Sequence, residues 1–258
     1  MISLPEKVKI VEEQNGRAVF EFAPLYPGYG VTLGNALRRI LLSSIQGAAI
    51  TTVKIKDVSH EFSSMEGILE DVIEIIMNIK KIRLQNFSDE PVTLTLKVSG
   101  EKEVTAQDIK ANSSVEIINK KQHIATLTDK KSSLEIEMIA ERGVGYVPVE
   151  QRQKEKISVG TLAIDAIFSP VVNVNFTVEN IRVEQRTDYN KLVMEIETDG
   201  TVSPKNALWK SVNILSDHLG TVRGGLEDAG AGEESMNQRL TESGEESKEK
   251  KTKKKKKE

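Results

Sequence analysis

The segment GYGVTLG, residues 28–34, places three glycines ahead of a patterned apolar stretch, a composition that can cradle a phosphate where a helix begins. Its spacing is G-x-G-x-x-x-G, and APLYP just before it interrupts any leading strand, so the dinucleotide fingerprint of strand, glycines and helix is incomplete. A glycine-rich start to a helix is the simpler reading. The alternative, a nucleotide-binding enzyme, would reveal itself by ligand binding in calorimetry. His60, His123 and His218 lack the spacing of metal ligands and read as surface or core histidines. LEDVIE supplies carboxylates at Glu70, Asp71 and Glu74 in the first half of an amphipathic helix. A solvated acidic face fits them better than an acid–base pair, which requires a raised pKa. RGVGYVP, residues 142–148, reads as a turn-rich loop, and no nucleophile–base set stands out. The chain has no cysteine, which excludes disulfides, thiolate metal sites and a cysteine nucleophile. On these residues the chain is expected to carry no catalytic set, no metal and no cofactor.

The elements that position these residues alternate between strand and helix periods. KVKIVEEQNGRAVFEF (7–22) is expected to form a hairpin turning at Asn15-Gly16, with Phe20 and Phe22 two apart on the return. TTVKIK (51–56) reads as a strand. A helix is expected over about 65–81, where Ile68, Val72, Ile75, Ile76 and Ile79 share a face and Ser63 and Glu66 have capping-box spacing. Between about 91 and 198 the period is mostly two, in PVTLTLKV, SLEIEMI, VVNVNFTV and KLVMEIE. A last helix opens at Ser203-Pro204 with a stripe of Leu208, Val212, Leu215 and Leu219, and Gly220 is placed to end it. The fold class is α+β.

The length, 258 residues with a net charge of -3, suits one large domain or two small ones. No apolar run reaches the roughly 20 residues of a membrane-spanning helix, and MISLPEKVKI lacks the core of a signal peptide, so a cytoplasmic protein is expected. Residues 233–258 hold nine Lys and Arg against seven Asp and Glu, leaving the remainder at -5 and without a general nucleic-acid footprint. Residues 223–258 are Gly-, Ser- and charge-rich and are expected to be a disordered tail. Eight lysines in 248–257 read either as a flexible polycation touching DNA phosphates, weakly and salt-dependently, or as a solubilising tail.

VTLGNALRRILLSSI, residues 31–45, is the most informative stretch. At 100° per residue, Leu33, Ala36, Leu37, Ile40, Leu41 and Ser44 form a core-facing stripe, while Arg38, Arg39 and Leu42 fall opposite. One exposed leucine is common, but an apolar residue between two guanidinium groups is the composition of a protein–protein contact. The stripe has a counterpart in the last helix, and two such stripes can build a symmetric dimer core.

LGNALRRILLSSIQGAA, MEGILEDVIEIIMNIKKI, RGVGYVP and VEQRTDYNKLVMEIETDGTVSPKNAL together resemble the amino-terminal region of the alpha subunit of bacterial DNA-dependent RNA polymerase, in order, over about residues 1–222. The resemblance implies a two-part fold. Residues 1–47 and 169–222 would form a discontinuous dimerisation part, and 48–168 an inserted strand-rich domain that contacts the large subunits. It also implies a homodimer that recruits the beta and then the beta prime subunit, with the catalytic magnesium and nucleotide transfer on those partners. Arg39 and Leu42 match family positions facing the large subunits, Arg38 lies beside them, and Lys80 matches another position on that side. Leu33, Leu37, Ile40, Leu215 and Leu219 are assigned to the dimer interface. The family's carboxy-terminal DNA-binding domain is expected to be absent. A related archaeal or eukaryotic heterodimeric assembly subunit is the competing reading, which the contiguous bacterial-type motifs oppose and sedimentation would distinguish.

Overall fold

A computed structural model describes residues 7–14, 16–58, 60–110, 112–152 and 160–228. Asn15, the lysine run at 248–257 and the rest of the expected tail from 229 onward lie outside the described residues. The chain divides into two units, Met1–Ser211 and Val212–Glu258.

The first unit opens with the expected hairpin, β1 (Lys7–Gln14) and β2 (Arg17–Leu25), with Gly16 at φ 82° in its turn. Helix α1 (Tyr29–Ser43) and strand β3 (Gln46–Ile55) follow, then α2 (Val72–Lys80). A run of strands comes next: β4 (Leu84–Asn86), β5 (Val92–Ser99), β6 (Lys102–Thr105), β7 (Val115–Ile117), β8 (His123–Leu127), β9 (Ser133–Val144) and β10 (Tyr146–Val147). The one-turn helix α3 (Val149–Arg152) precedes β11 (Leu162–Ala163), β12 (Ala166–Ile167) and the long pair β13 (Val171–Val183) and β14 (Arg186–Thr198). Helix α4 (Pro204–Asp228) begins in this unit and continues into the second.

One four-stranded antiparallel sheet has the order β1-β2-β14-β13 and joins the start of the chain to residues 171–198. Period-two patterning explains its register. Ala18, Phe20 and Phe22 pair directly with Ile196, Met194 and Leu192, and all six side chains are buried. Helix α1 packs on β13 and β14. A second antiparallel sheet has the order β11-β3-β9-β5. There Val53 and Leu94 flank Met138, Ile55 and Leu96 flank Ile136, and these side chains enclose a core with Val72, Ile75 and Ile79 of α2. Two-stranded ribbons β4-β7, β6-β8 and β10-β12 complete the unit.

Three expectations are corrected. The second helix starts at Val72 rather than near residue 65, and the Ser63–Glu66 capping box does not form. Gly67 adopts φ 73°, Ile68 bridges to Leu127, and the Leu69 N–H donates to the Thr126 carbonyl at 3.0 Å, so residues 67–70 follow β8 instead of winding into helix. RGVGYVP is mostly strand: Arg142–Val144 end β9, Gly145 turns at φ 68°, and Tyr146–Val147 form β10. In the second unit, α4 runs through Gly220 and past Val222 to Asp228, so residues 223–228 are helical rather than tail. Gly220 is not a terminator, because a helix tolerates an isolated glycine at a cost of about 1 kcal/mol. The start of α4 matches the sequence reading: the Ser203 hydroxyl accepts the Asn206 N–H at 3.3 Å, with Pro204 as the first helical residue.

Candidate subunit-contact surfaces

The placement of α1 decides what its residues can do. Gly28 precedes it at φ 85°, and the Asn190 side-chain oxygen accepts the Gly28 N–H at 2.9 Å and the Gly30 N–H at 3.4 Å. Asn190 is buried and donates to Asn180 Oδ1 at 3.1 Å, which fixes its orientation. The helix start is therefore capped from β14. Gly30 and Gly34 have a different use, close approach of helix to sheet. A Cβ on Gly30 would lie 2.7 Å from a Val178 methyl carbon, and one on Gly34 would lie 2.6 Å from the Phe176 ring. Gly30 and Gly34 serve packing and Gly28 a left-handed turn, which leaves the nucleotide reading without support.

The buried line of α1 is Gly30, Gly34, Leu37 and Leu41. This corrects one assignment: Leu37, 4% exposed, is consumed by its own chain and has no surface to give a partner copy. Leu33 and Ile40 lie at the margins of that line and are half-buried. Opposite it, Arg38 and Arg39 are exposed, and neither makes an ion pair among the described residues. Leu42 stays 38% exposed between them. A charged and apolar strip thus faces away from the sheet to which α1 is locked.

Lys80 is placed differently from the arginines. Its ammonium donates to Asp165 Oδ2 at 3.0 Å, while Asp165 Oδ1 accepts the Val149 N–H at 3.1 Å. Lys80, then the Val149 N–H, hold the Asp165 carboxyl below its ordinary pKa. The pair borders an open groove of about 520 Å³ that Ile73, Met77 and Leu162 also line. On α4, Ala207, Leu208 and Ser211 are buried, whereas Trp209 is 65% exposed. In the second unit Leu215 is half-buried and Leu219 is 60% exposed.

The acidic cluster proves structural. Asp71 and Glu74 are exposed, but the Glu70 side chain is only 12% exposed and turns inward. It accepts the Thr126 N–H at 2.6 Å and the Thr126 hydroxyl at 3.0 Å, and it meets His123 Nε2 at 2.8 Å. Burial alone would raise the Glu70 pKa; the Thr126 N–H, His123 and the Thr126 hydroxyl together outweigh it and lower the value. His123 Nδ1 lies 3.1 Å from Glu103, and His60 Nδ1 lies 3.2 Å from the Ser63 hydroxyl. Among the described residues no group of three or more His, Asp or Glu is arranged to hold a metal ion, and no helix is long and apolar enough to cross a membrane.

Sequence reasoning passed over several exposed apolar residues. Trp209 lies off the stripe of α4, and Tyr146 and Ile167, 58% and 45% exposed, were hidden in short segments without a readable period. The signal available was composition alone, since large apolar residues beside glycine and proline give no hint of which way they face.

Residues 53–169 match the family model described as the RNA polymerase Rpb3/RpoA insert domain. The chain is 48% identical over 221 residues to the DNA-directed RNA polymerase subunit alpha of Roseiflexus castenholzii, an alignment covering 86% of this chain and 68% of the relative. It is 45% identical over 220 residues to the subunit of the same name from Flavobacterium psychrophilum, covering 83% and 66%. A Roseiflexus sp. subunit alpha is 47% identical over 221 residues, covering 86% and 68%. The chain spans about two thirds of the length of these relatives. The insert-domain match over residues 53–169 and this level of identity lead to one conclusion: the chain belongs to the DNA-directed RNA polymerase subunit alpha family.

Proposed function

We propose that this chain is the assembly subunit of a bacterial RNA polymerase, working in the cytoplasm as a homodimer that recruits the beta subunit and then beta prime. It contributes no catalytic group of its own. Nucleotide transfer and the magnesium it needs belong to the large partners.

The observation that carries this reading is the outward strip of α1. Arg38, Arg39 and Leu42 lie on a helix whose other side is fixed to β13 and β14, so their exposure is not a consequence of looseness. Two exposed guanidinium groups without ion partners among the described residues are free to pair with external acceptors, and arginine is favoured at such contacts because it makes bidentate bonds with little reordering. Lys80 belongs to the same proposed face, with Asp165 holding its ammonium in place. For the dimer contact we assign Leu33 and Ile40 in the first unit and Leu215 and Leu219 in the second. Each would contribute at most about 1.5–3 kcal/mol when fully covered, and association entropy offsets much of the total.

The test is retention of the beta subunit by Arg39→Ala in co-expression, with the dimer followed by sedimentation. The expected result is an intact dimer that no longer retains beta. Unchanged retention would remove Arg39 from the contact.

A further inference from the structure

Strand β5 is the last strand of its sheet, and its outer edge is covered only in part. Ile109 bridges to Leu96, and the Thr95 carbonyl accepts the Lys110 N–H at 2.8 Å. The chain then leaves the strand, because Asn112 bridges to Val115 and its carbonyl accepts the Val115 N–H at 3.2 Å. Thr95 turns its backbone polar groups away from β9, so by the two-residue period Thr93 does the same. Among the described residues nothing bonds to the Thr93 N–H or carbonyl, and its side chain is exposed. Beside this open edge lies a groove of about 460 Å³ whose lining includes Leu94, Ile109, Val115 and Phe87. The first three are buried, whereas Phe87 is 59% exposed. Backbone bonds fix the walls: the Ser114 carbonyl accepts the Phe87 N–H and the Lys120 carbonyl the Gln107 N–H, both at 2.9 Å. Lys110 and Lys120 line the groove against one carboxylate, Glu116. Lys97 of β5 and Lys102 of β6 pair with Glu135 and Asp108, but Lys110 and Lys120 make no ion pair among the described residues.

We infer that the outer edge of β5 takes up an extended segment of another protein as an added strand, one whose side chains alternate between apolar and acidic. An unpaired edge is a template for such a strand: main-chain bonds supply affinity, and alternate side chains supply specificity. The residues already on that edge set the alternation. Ile109, opposite Leu96, is buried, and Lys110, opposite Thr95, is exposed. A strand continuing their line past Thr93 sends one set of side chains over Leu94 into the groove and the other toward solvent beside Lys110. Aliphatic side chains fit the first position and carboxylates the second. The inference is independent of the assembly reading, because Thr93 and Lys110 belong to neither contact assigned there.

Fluorescence anisotropy with the purified full chain tests this, using a labelled eight-residue peptide that alternates leucine and aspartate. Saturable binding of one peptide per chain is expected. The peptide with lysine in place of aspartate, and the acidic peptide with its backbone amides methylated along one edge, are each expected to bind at least tenfold more weakly. Thr93→Pro removes the outward N–H without taking a bond from the β5–β9 ladder, and Lys110→Glu reverses a charge beside the groove. Each is expected to lower affinity at least tenfold while sedimentation and cooperative melting match the parent. If Thr93→Pro fails to fold, the methylated peptide on the parent chain decides. Absence of saturable binding, or a loss below tenfold for either altered peptide or for Lys110→Glu, overturns the inference. Binding that weakens as the chain's own concentration rises assigns the edge to a second copy and overturns it too. Both variants are expected to retain the beta subunit as the parent does. A variant that loses peptide and beta together would place the groove in the large-subunit contact, and the inference falls.

Discussion

Glu70 shows how one side chain can fix a chain direction that helix periodicity misreads. Its carboxylate joins the segment before α2 to β8 through the Thr126 N–H, the Thr126 hydroxyl and His123. Glu70→Gln replaces a charged acceptor with a neutral one in a nearly buried setting, and a loss of about 2 kcal/mol is expected in urea unfolding, the range for hydrogen bonds to charged groups. The pH dependence has a defined sign. Because folding lowers the Glu70 pKa below its ordinary 4.5, its stabilisation is complete above that value and is lost as the pH falls through the lower folded value. The parent is expected to lose more stability than Glu70→Gln on acidification from pH 6 to pH 3, and parallel curves would remove Glu70 from the ledger of acid-sensitive groups. In the sequence, Glu70 looked like one of three solvated carboxylates. Nothing in LEDVIE distinguishes it from Asp71 or Glu74, because the acceptor role is created by a strand more than fifty residues away.

At the scale of elements, helices and strands with a sustained period were legible and short segments were not. The hairpin β1–β2, the alternation along β5, β9 and β14, and the Ser203-Pro204 start of α4 follow from local spacing and turn chemistry alone. Helix α2 was drawn too long because Ile68 continued the apolar period, while the left-handed Gly67 and the bridge to Leu127 ended it. Helix α1, expected over 31–45, runs over Tyr29–Ser43, and its buried line is centred on Gly30, Gly34, Leu37 and Leu41, since a hydrophobicity count ignores glycines that pack. Two glycine substitutions with opposite signs follow from the surroundings. Gly34→Ala drives a Cβ to 2.6 Å from the Phe176 ring and is expected to cost about 1–3 kcal/mol, read as a lower Tm. Gly220→Ala meets nothing within 4 Å on a continuous helix and is expected to stabilise by up to about 1 kcal/mol. A stabilised Gly34→Ala would mean that α1 does not need close approach to β13.

For the whole molecule, α1 has two sides with separate duties. Its sheet-facing line is satisfied within the chain, its margins at Leu33 and Ile40 are left half-buried, and its outer strip carries arginines and a leucine. Ile40→Asp puts a carboxylate into the contact proposed between copies and is expected to yield monomers, whereas Leu42→Asp is expected to leave the dimer intact. The family was legible in the sequence because LGNALRRILLSS and VEQRTD are contiguous. The ribbon at Tyr146 and Ile167 was not, because pairing residues about twenty positions apart leaves no local mark. The most direct measurement is the native mass of the purified complex of this chain with its beta subunit. Two copies of the chain bound to one beta subunit are expected; a single copy bound to beta, or no complex at all, would contradict the pairing of twin surfaces on which assembly depends.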